Sequence, residues 1–343
     1  MVGAGASIAH ALHEEGIPLV IASQFPLSFA GSVIMAQVLY LGLLAGEDPR
    51  TLLVNLRRRL QTEVPASHDW ASIVAYASLP PDLDRKLDAV QIHQSFRRLE
   101  AAMNYADRML APTTGDSYTE SEWQNQRTRL KEARDRIDKL MPKSKDSKDH
   151  GILASADKRL AETLWSIGKA RTGGRPEGKD EALVRDRLIT SRKNYETAFR
   201  RDRSQVWAVV QTIVLTAVLQ HWDKSEELSE DQWRLAEIFS REEVRLGDRQ
   251  RKAWAHANLM ELYILAPLIG KLKFDTSDAR TKAMEHALAF KNVTDLTSIE
   301  IHSTRRQVLR YSSIFLEINS DLKDIAGIAE EIAPVLPESS KYA

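Results

Sequence analysis

Within Glu300-Ile301-His302-Ser303-Thr304-Arg305-Arg306-Gln307-Val308-Leu309-Arg310-Tyr311, the side chains of His302, Arg306 and Arg310 recur every four residues. That spacing puts them on one face of a helix. Guanidinium forks stacked this way suit a phosphate or an acidic peptide on a concave surface, and they pair equally well with neighbouring carboxylates. A second candidate is Ser23-Gln24-Phe25, which follows the apolar run Leu19-Val20-Ile21-Ala22 and precedes Pro26. In open α/β sheets ligands sit beyond the carboxyl ends of the strands, so these three residues would stand at the working edge. Trp207 and Trp254 are candidates for a partner-binding surface, because buried aromatic anchors dominate binding energy. Core packing is the competing reading for each, as it is for Trp165, Trp222 and Trp233.

Other constellations carry less. His10 and His13 share a helical face near Glu14, a spacing that could hold a metal, but no further ligand motif accompanies them. A packed or solvated helix face is the better expectation. The run Arg57-Arg58-Arg59 could contact phosphate, and it also lies opposite the stripe Leu52, Leu53, Leu56, Leu60, as a solvated face would. No P-loop, zinc motif, nucleophile elbow or dinucleotide fingerprint is present, so no cofactor and no metal is expected.

The 343 residues contain no cysteine, which excludes disulfides, thiolate metal sites and a cysteine nucleophile within this chain. Lys plus Arg and Asp plus Glu are both 48, so there is no global basic field and nucleic acid is not an expected partner. From Gly16 through Gly46 no side chain is charged, long enough to raise a membrane span as a minor alternative. Pro18 and Pro26 interrupt that tract, and Gln24 and Gln37 would need partners in lipid, which favours a buried strand followed by a buried helix. A cytoplasmic protein is the expectation.

Elements able to position these residues follow from periodicity. Ala4 to Glu15 has a helical pattern, Leu19–Ala22 is a strand, and Ser28 to Ala45 is a second helix apolar around most of its circumference. Such a helix is expected to be buried against a sheet, and the strand to lie inside a parallel sheet. Asp48 caps a third helix with Pro49 at its first position. Trp70 to Ser78 is again strand-like, and Pro80-Pro81 marks a boundary. With no strand before the first helix, the sheet looks incomplete.

The series Ala11-Leu12, Gly16-Ile17-Pro18, Val20-Ile21-Ala22-Ser23-Gln24-Phe25-Pro26, Phe29-Ala30, Tyr40, Gly46, Trp70-Ala71 and Tyr76 resembles the C-terminal portion of a CHAT domain, the caspase-like domain associated with tetratricopeptide repeats. The resemblance covers about the first eighty residues. It implies a caspase/separase-type α/β fold whose active members are cysteine peptidases with a His–Cys dyad. Both dyad positions lie upstream of the matched part, so neither carries over, and residues 1–81 are expected to be a catalytically silent fragment. What matches is the strand and loop beyond the nucleophile, so the resemblance implies that Ser23, Gln24 and Phe25 would at most line a substrate groove.

Beyond Pro81 strand signals vanish. Leu83 to Leu110 and Thr119 to Leu140 are expected as helices joined by a turn at Pro112-Thr113-Thr114-Gly115-Asp116, a hairpin or connector over 82–141. Residues 142–150 read as a solvated linker, 151–333 as a helical array, and 334–343 as a flexible tail. In the array, Ser191, Tyr195 and Ala198, followed by Trp207 and Val210, resemble the small, aromatic and small positions of a tetratricopeptide repeat. Gln211 and Arg203 stand where that repeat has a small residue and a proline, so the repeat is degenerate. A weaker echo runs Leu235, Phe239, Trp254, Ala257, and then Ala283, Ala287, Phe290. The expected function is therefore a CHAT/TPR-type interaction protein in bacterial signalling or defence, recognising a protein partner through the helical region. The alternative is one piece of a split CHAT cysteine peptidase whose His and Cys lie upstream.

Overall fold

The computed structural model describes residues 8–110, 118–144, 146–294 and 299–337. The opening Met1–Ser7, the expected turn at Pro112–Asp116 and residues 338–343 of the expected tail lie outside them. The chain is predominantly helical and divides into two units. The first comprises 1–99 and 132–144, and the second 100–131 and 145–343. This division runs through the two helices after Pro81 and not at Pro81 itself.

In the first unit, α1 (Ile8–Glu14) leads into β1 (Leu19–Ser23), followed by α2 (Phe29–Leu44), α3 (Pro49–Glu63), the single turn α4 (Asp69–Ser72) and β2 (Ile73–Ala77). Both expected strands form, the second only from Ile73, since residues 70–72 of the expected stretch belong to the helical turn α4. They pair with each other, Leu19 opposite Ala77 and Ser23 opposite Ile73, in an antiparallel two-stranded sheet. The expected interior of a parallel sheet is corrected: β1 is half-buried along its whole length, and among the described residues β2 is the one strand that pairs with it.

The core of this unit is Ile34 and Leu39 of α2, Leu52, Leu56 and Leu60 of α3, and Ile73 of β2. The leucine stripe of α3 is buried as its spacing demands. Asp48 accepts from the Arg50 amide at 2.8 Å and caps it. Close approach of α2 to α3 rests on Gly42, where a Cβ would run into the Leu52 side chain. After Pro81, α5 (Leu83–Leu110) and α6 (Glu120–Leu140) form where expected, and Thr119 and Glu122 cap α6 reciprocally.

The second unit holds the end of α5, the start of α6, then α7 (Ser147–Thr172), α8 (Lys179–Arg201), α9 (Val206–Leu219), α10 (Glu230–Leu246), α11 (Arg249–Leu265), α12 (Thr276–Val293) and α13 (Ile299–Arg310). A π-turn over Tyr311–Phe315, a short α14 (Leu316–Ile318) and α15 (Lys323–Ile332) complete it. Consecutive helices from α7 to α12 pack on one another, with α9 and α11 nearly enclosed. α9 reads Val-Trp-Ala-Val-Val-Gln-Thr-Ile-Val-Leu-Thr-Ala-Val-Leu, apolar on every side, and all of it except Trp207 is buried. Ser191, Tyr195 and Ala198 of α8 are buried at 1% exposure or less.

Three local expectations change. Helix α7 begins at Ser147, capped by Asp146, so the second half of the expected linker is its first turn. Leu336, at 2% exposure, ties down the first residues of the expected tail. On α10 the buried residues are Trp233, Ala236 and Ser240, while Leu235 and Phe239 are exposed. The expected echo on that helix is therefore out of phase with the face that packs.

Candidate functional site

The first unit presents an apolar face. Ser28 caps α2 by accepting from the Gly31 amide at 2.9 Å, and Asp69 holds Ser28 in place. The Asp69 carboxylate accepts the Ser28 hydroxyl at 2.5 Å and the Ser28 amide at 3.2 Å. Those hydrogen bonds keep its pKa below the ordinary range although it is 6% exposed. This anchor fixes α2 so that Gly31, Ile34, Leu39 and Gly42 point inward. The opposite stripe, Phe29, Val33, Tyr40, Leu41 and Leu44, is exposed, with Phe29 at 86% and Leu44 at 70%. Apolarity on all sides predicts burial of the whole helix; that expectation is corrected, since nothing among the described residues covers this side. Phe25 and Ile8 of the same unit are also exposed, at 69% and 82%.

At the end of β1, the Ser23 hydroxyl lies 2.7 Å from that of Ser72, and the Gln24 amide donates to the Ser72 carbonyl at 2.9 Å. Gln24 and Phe25 are exposed just beyond the end of β1, and no groove around them is seen among the described residues. His10 pairs with Glu14 at 3.6 Å, and both His10 and His13 pack against the Tyr76 ring. His13 Nδ1 lies 2.9 Å from the Ile17 carbonyl. No cluster of three or more metal-ligating side chains occurs among the described residues. Arg57 donates to the Ile73 carbonyl at 2.8 Å and Arg59 pairs with Glu63.

The second unit gathers polar groups in its interior. Lys158 of α7 is 3% exposed, and its ammonium donates to the side-chain oxygens of Gln211 (2.5 Å) and Gln307 (2.7 Å). Gln211 in turn donates to Glu261 of α11 at 2.6 Å. Burial drives the Lys158 pKa down and the Glu261 pKa up, since each charged form loses its hydration. Arg310 is 6% exposed, donates to Gln307 at 2.8 Å and pairs with Glu162 at 2.5 Å. Sequence reasoning found Arg310 and missed Lys158, Glu162 and Glu261. The one available signal was Gln211, a polar residue where the repeat-like pattern asks for a small one.

The three members of the α13 stripe thus separate by depth. Arg310 is at the bottom in an ion pair, whereas Arg306 and His302 are half-buried. Arg159 of α7 lies within electrostatic reach of both and is held by Asn104 (2.5 Å) and Asp107 (2.9 Å) of α5. Trp207 is half-buried, edge-on to Tyr195 at 5.4 Å and against the α7 backbone at Gly151; Trp254 is half-buried on α11. Trp165 and Trp233 are 1% exposed, with their indole N–H groups donating to Glu317 and to the Leu262 carbonyl.

No family model, curated protein or solved structure matches this chain. No helix among the described residues is long and apolar enough to cross a membrane.

Proposed function

We propose that the chain is a protein-interaction protein whose first unit docks a partner chain through the exposed stripe of α2. The observation that carries this reading is the contiguous surface of Phe29, Val33, Tyr40, Leu41 and Leu44, in a tract with no charge from Gly16 through Gly46. Exposed apolar area of this kind is costly in water and marks interaction sites. The occupant it fits is a folded segment with an apolar helix or strand, because β1 and β2 each also have an edge unpaired among the described residues. The resemblance to the C-terminal part of a CHAT domain supports the same occupant, since the rest of such a domain would supply strands beside β1. Under that reading the repeat-like second unit is the sensing part, in bacterial signalling or defence, and the chain, having no cysteine, is silent as a peptidase by itself.

The split-peptidase reading differs in one respect only: the docked segment would carry a His–Cys dyad. The unpaired strand edges favour it. Affinity purification of the full chain from its native host, beside a Phe29→Glu/Leu44→Lys variant, tests the proposal. A partner recovered with the wild type and lost with the variant supports it, and peptidase activity in the recovered complex selects the second reading. A partner retained by the variant, or pelleting of the wild type with phospholipid vesicles, overturns it.

A further inference from the structure

Among the described residues Arg306 has no ion-pair partner, unlike the other arginines around it. Arg310 has Glu162, and Arg159 has Asp107 at 2.9 Å and the exposed Glu100 at 3.8 Å. The Arg306 side chain is half-buried, its Nε is shielded from water, and no acceptor among the described residues meets that nitrogen. It sits one helical turn from Arg310 and within electrostatic reach of Arg159, both of like charge, and Glu162 and Asp107 act on it in the opposite sense. An unpaired guanidinium held among cations is destabilising unless something supplies the missing charge.

A second observation comes from the residue one position on. Lysine and arginine only donate, so Lys158 and Arg310 fix the orientation of the Gln307 amide with its oxygen towards them. The Gln307 Nε2 group, in a side chain 5% exposed, then faces the Tyr311 hydroxyl without a well-formed hydrogen bond. The Tyr311 hydroxyl, 1% exposed, also makes no hydrogen bond of good geometry. Arg306 Nε and Gln307 Nε2 are thus two buried donors of this end of α13 without a well-formed hydrogen bond.

We propose that Arg306, with Arg159 and His302 beside it, binds the phosphate group of a small phosphorylated molecule. Two guanidinium forks match the oxygens of a tetrahedral anion better than a single carboxylate does. His302 supplies the remaining charge. Burial and the neighbouring arginines keep its imidazole neutral in the free protein, so an arriving dianion would draw a proton onto it. Binding of the dianion should therefore take up a proton, so that affinity rises as pH falls towards the second ionisation of the phosphate, about 6 for a phosphomonoester, and levels off below it, where the monoanion brings its own proton. This site is in the second unit, and the docking surface proposed above is in the first.

The test uses the full chain, with inorganic phosphate and phenyl phosphate as probes in isothermal titration calorimetry and thermal melts, and sodium chloride at matched ionic strength as control. The expected result is saturable binding of both probes, at least tenfold weaker in Arg306→Gln and partly restored in Arg306→Lys. Proton uptake, read from calorimetry in buffers of different ionisation enthalpy, should vanish in His302→Gln. Removing an unpaired charge should leave Arg306→Gln folded with an unchanged or higher Tm. Absence of binding to the wild type, equal binding to Arg306→Gln, or a melting shift reproduced by chloride overturns the proposal. Binding of phenyl phosphate but not inorganic phosphate would mean that the aromatic ring and not the phosphate is recognised, and would overturn it too.

Discussion

Gly31 has no room for a side chain: a Cβ there would run into the Asp69 carboxylate, and that carboxylate is what holds the Ser28 cap of α2. Gly31→Ala is expected to cost about 1–3 kcal/mol, the usual range for overpacking, despite the higher helix propensity of alanine. Denaturant unfolding checks it, and a stabilised variant would show that the cap does not depend on this contact. Glu261 offers a pH-dependent counterpart. Its pKa is raised from the ordinary 4.5 by burial, so its contribution to stability is fully present below that value and is lost as pH rises towards neutrality. Lys158, with its pKa lowered from 10.5, behaves in the opposite sense and contributes above that value, losing the contribution as pH falls towards neutrality. The Tm of the wild type minus that of Glu261→Gln should therefore decline between pH 4.5 and 7. Gln keeps an oxygen for the Gln211 amide, so the comparison isolates the proton. A flat difference profile would mean that Glu261 does not hold its proton in the fold.

Among the elements, α10 is the sharpest check on which face packs. Trp233 is 1% exposed and donates to the Leu262 carbonyl at 2.7 Å, whereas Leu235 and Ile238 are 37% and 65% exposed. Trp233→Ala is expected to cost about 3–5 kcal/mol and Ile238→Ala less than about 0.5 kcal/mol. Comparable losses in both would reverse the assigned face. The same helix shows what the sequence could reveal. Apolar spacing locates α10 but offers two overlapping stripes, Trp233-Ala236-Ser240 and Leu235-Phe239, and only the position of α11 decides between them. Where one stripe stands alone, as with Leu52, Leu56 and Leu60, the buried face was legible. Strand positions were legible from Pro and Gly punctuation, but their pairing direction was not, because β1 and β2 are joined through three helices whose path periodicity does not encode. The candidate cluster was half legible: His302, Arg306 and Arg310 follow from helical spacing within one segment, while Lys158, Gln211 and Glu261 come from three other helices and meet only through tertiary packing.

Across the whole molecule, the balance of 48 basic and 48 acidic residues conceals a tract of the first unit with no charge at all, and the structure puts part of that tract on the surface. Charged side chains at Phe29 and Leu44 would remain in water, since these positions are 86% and 70% exposed and lie outside the Ile34–Leu52–Ile73 core. The Phe29→Glu/Leu44→Lys variant should therefore melt within a few degrees of the wild type, because surface substitutions away from caps and cores usually change stability by less than about 0.5 kcal/mol each. Its effect should appear in association instead: less binding of a hydrophobic dye and loss of the partner recovered with the wild type. Together these separate an interaction face from a structural one. A large loss of Tm would show that Phe29 and Leu44 belong to the core of the unit, and a stable variant with undiminished dye binding would move the sticky surface elsewhere on the chain.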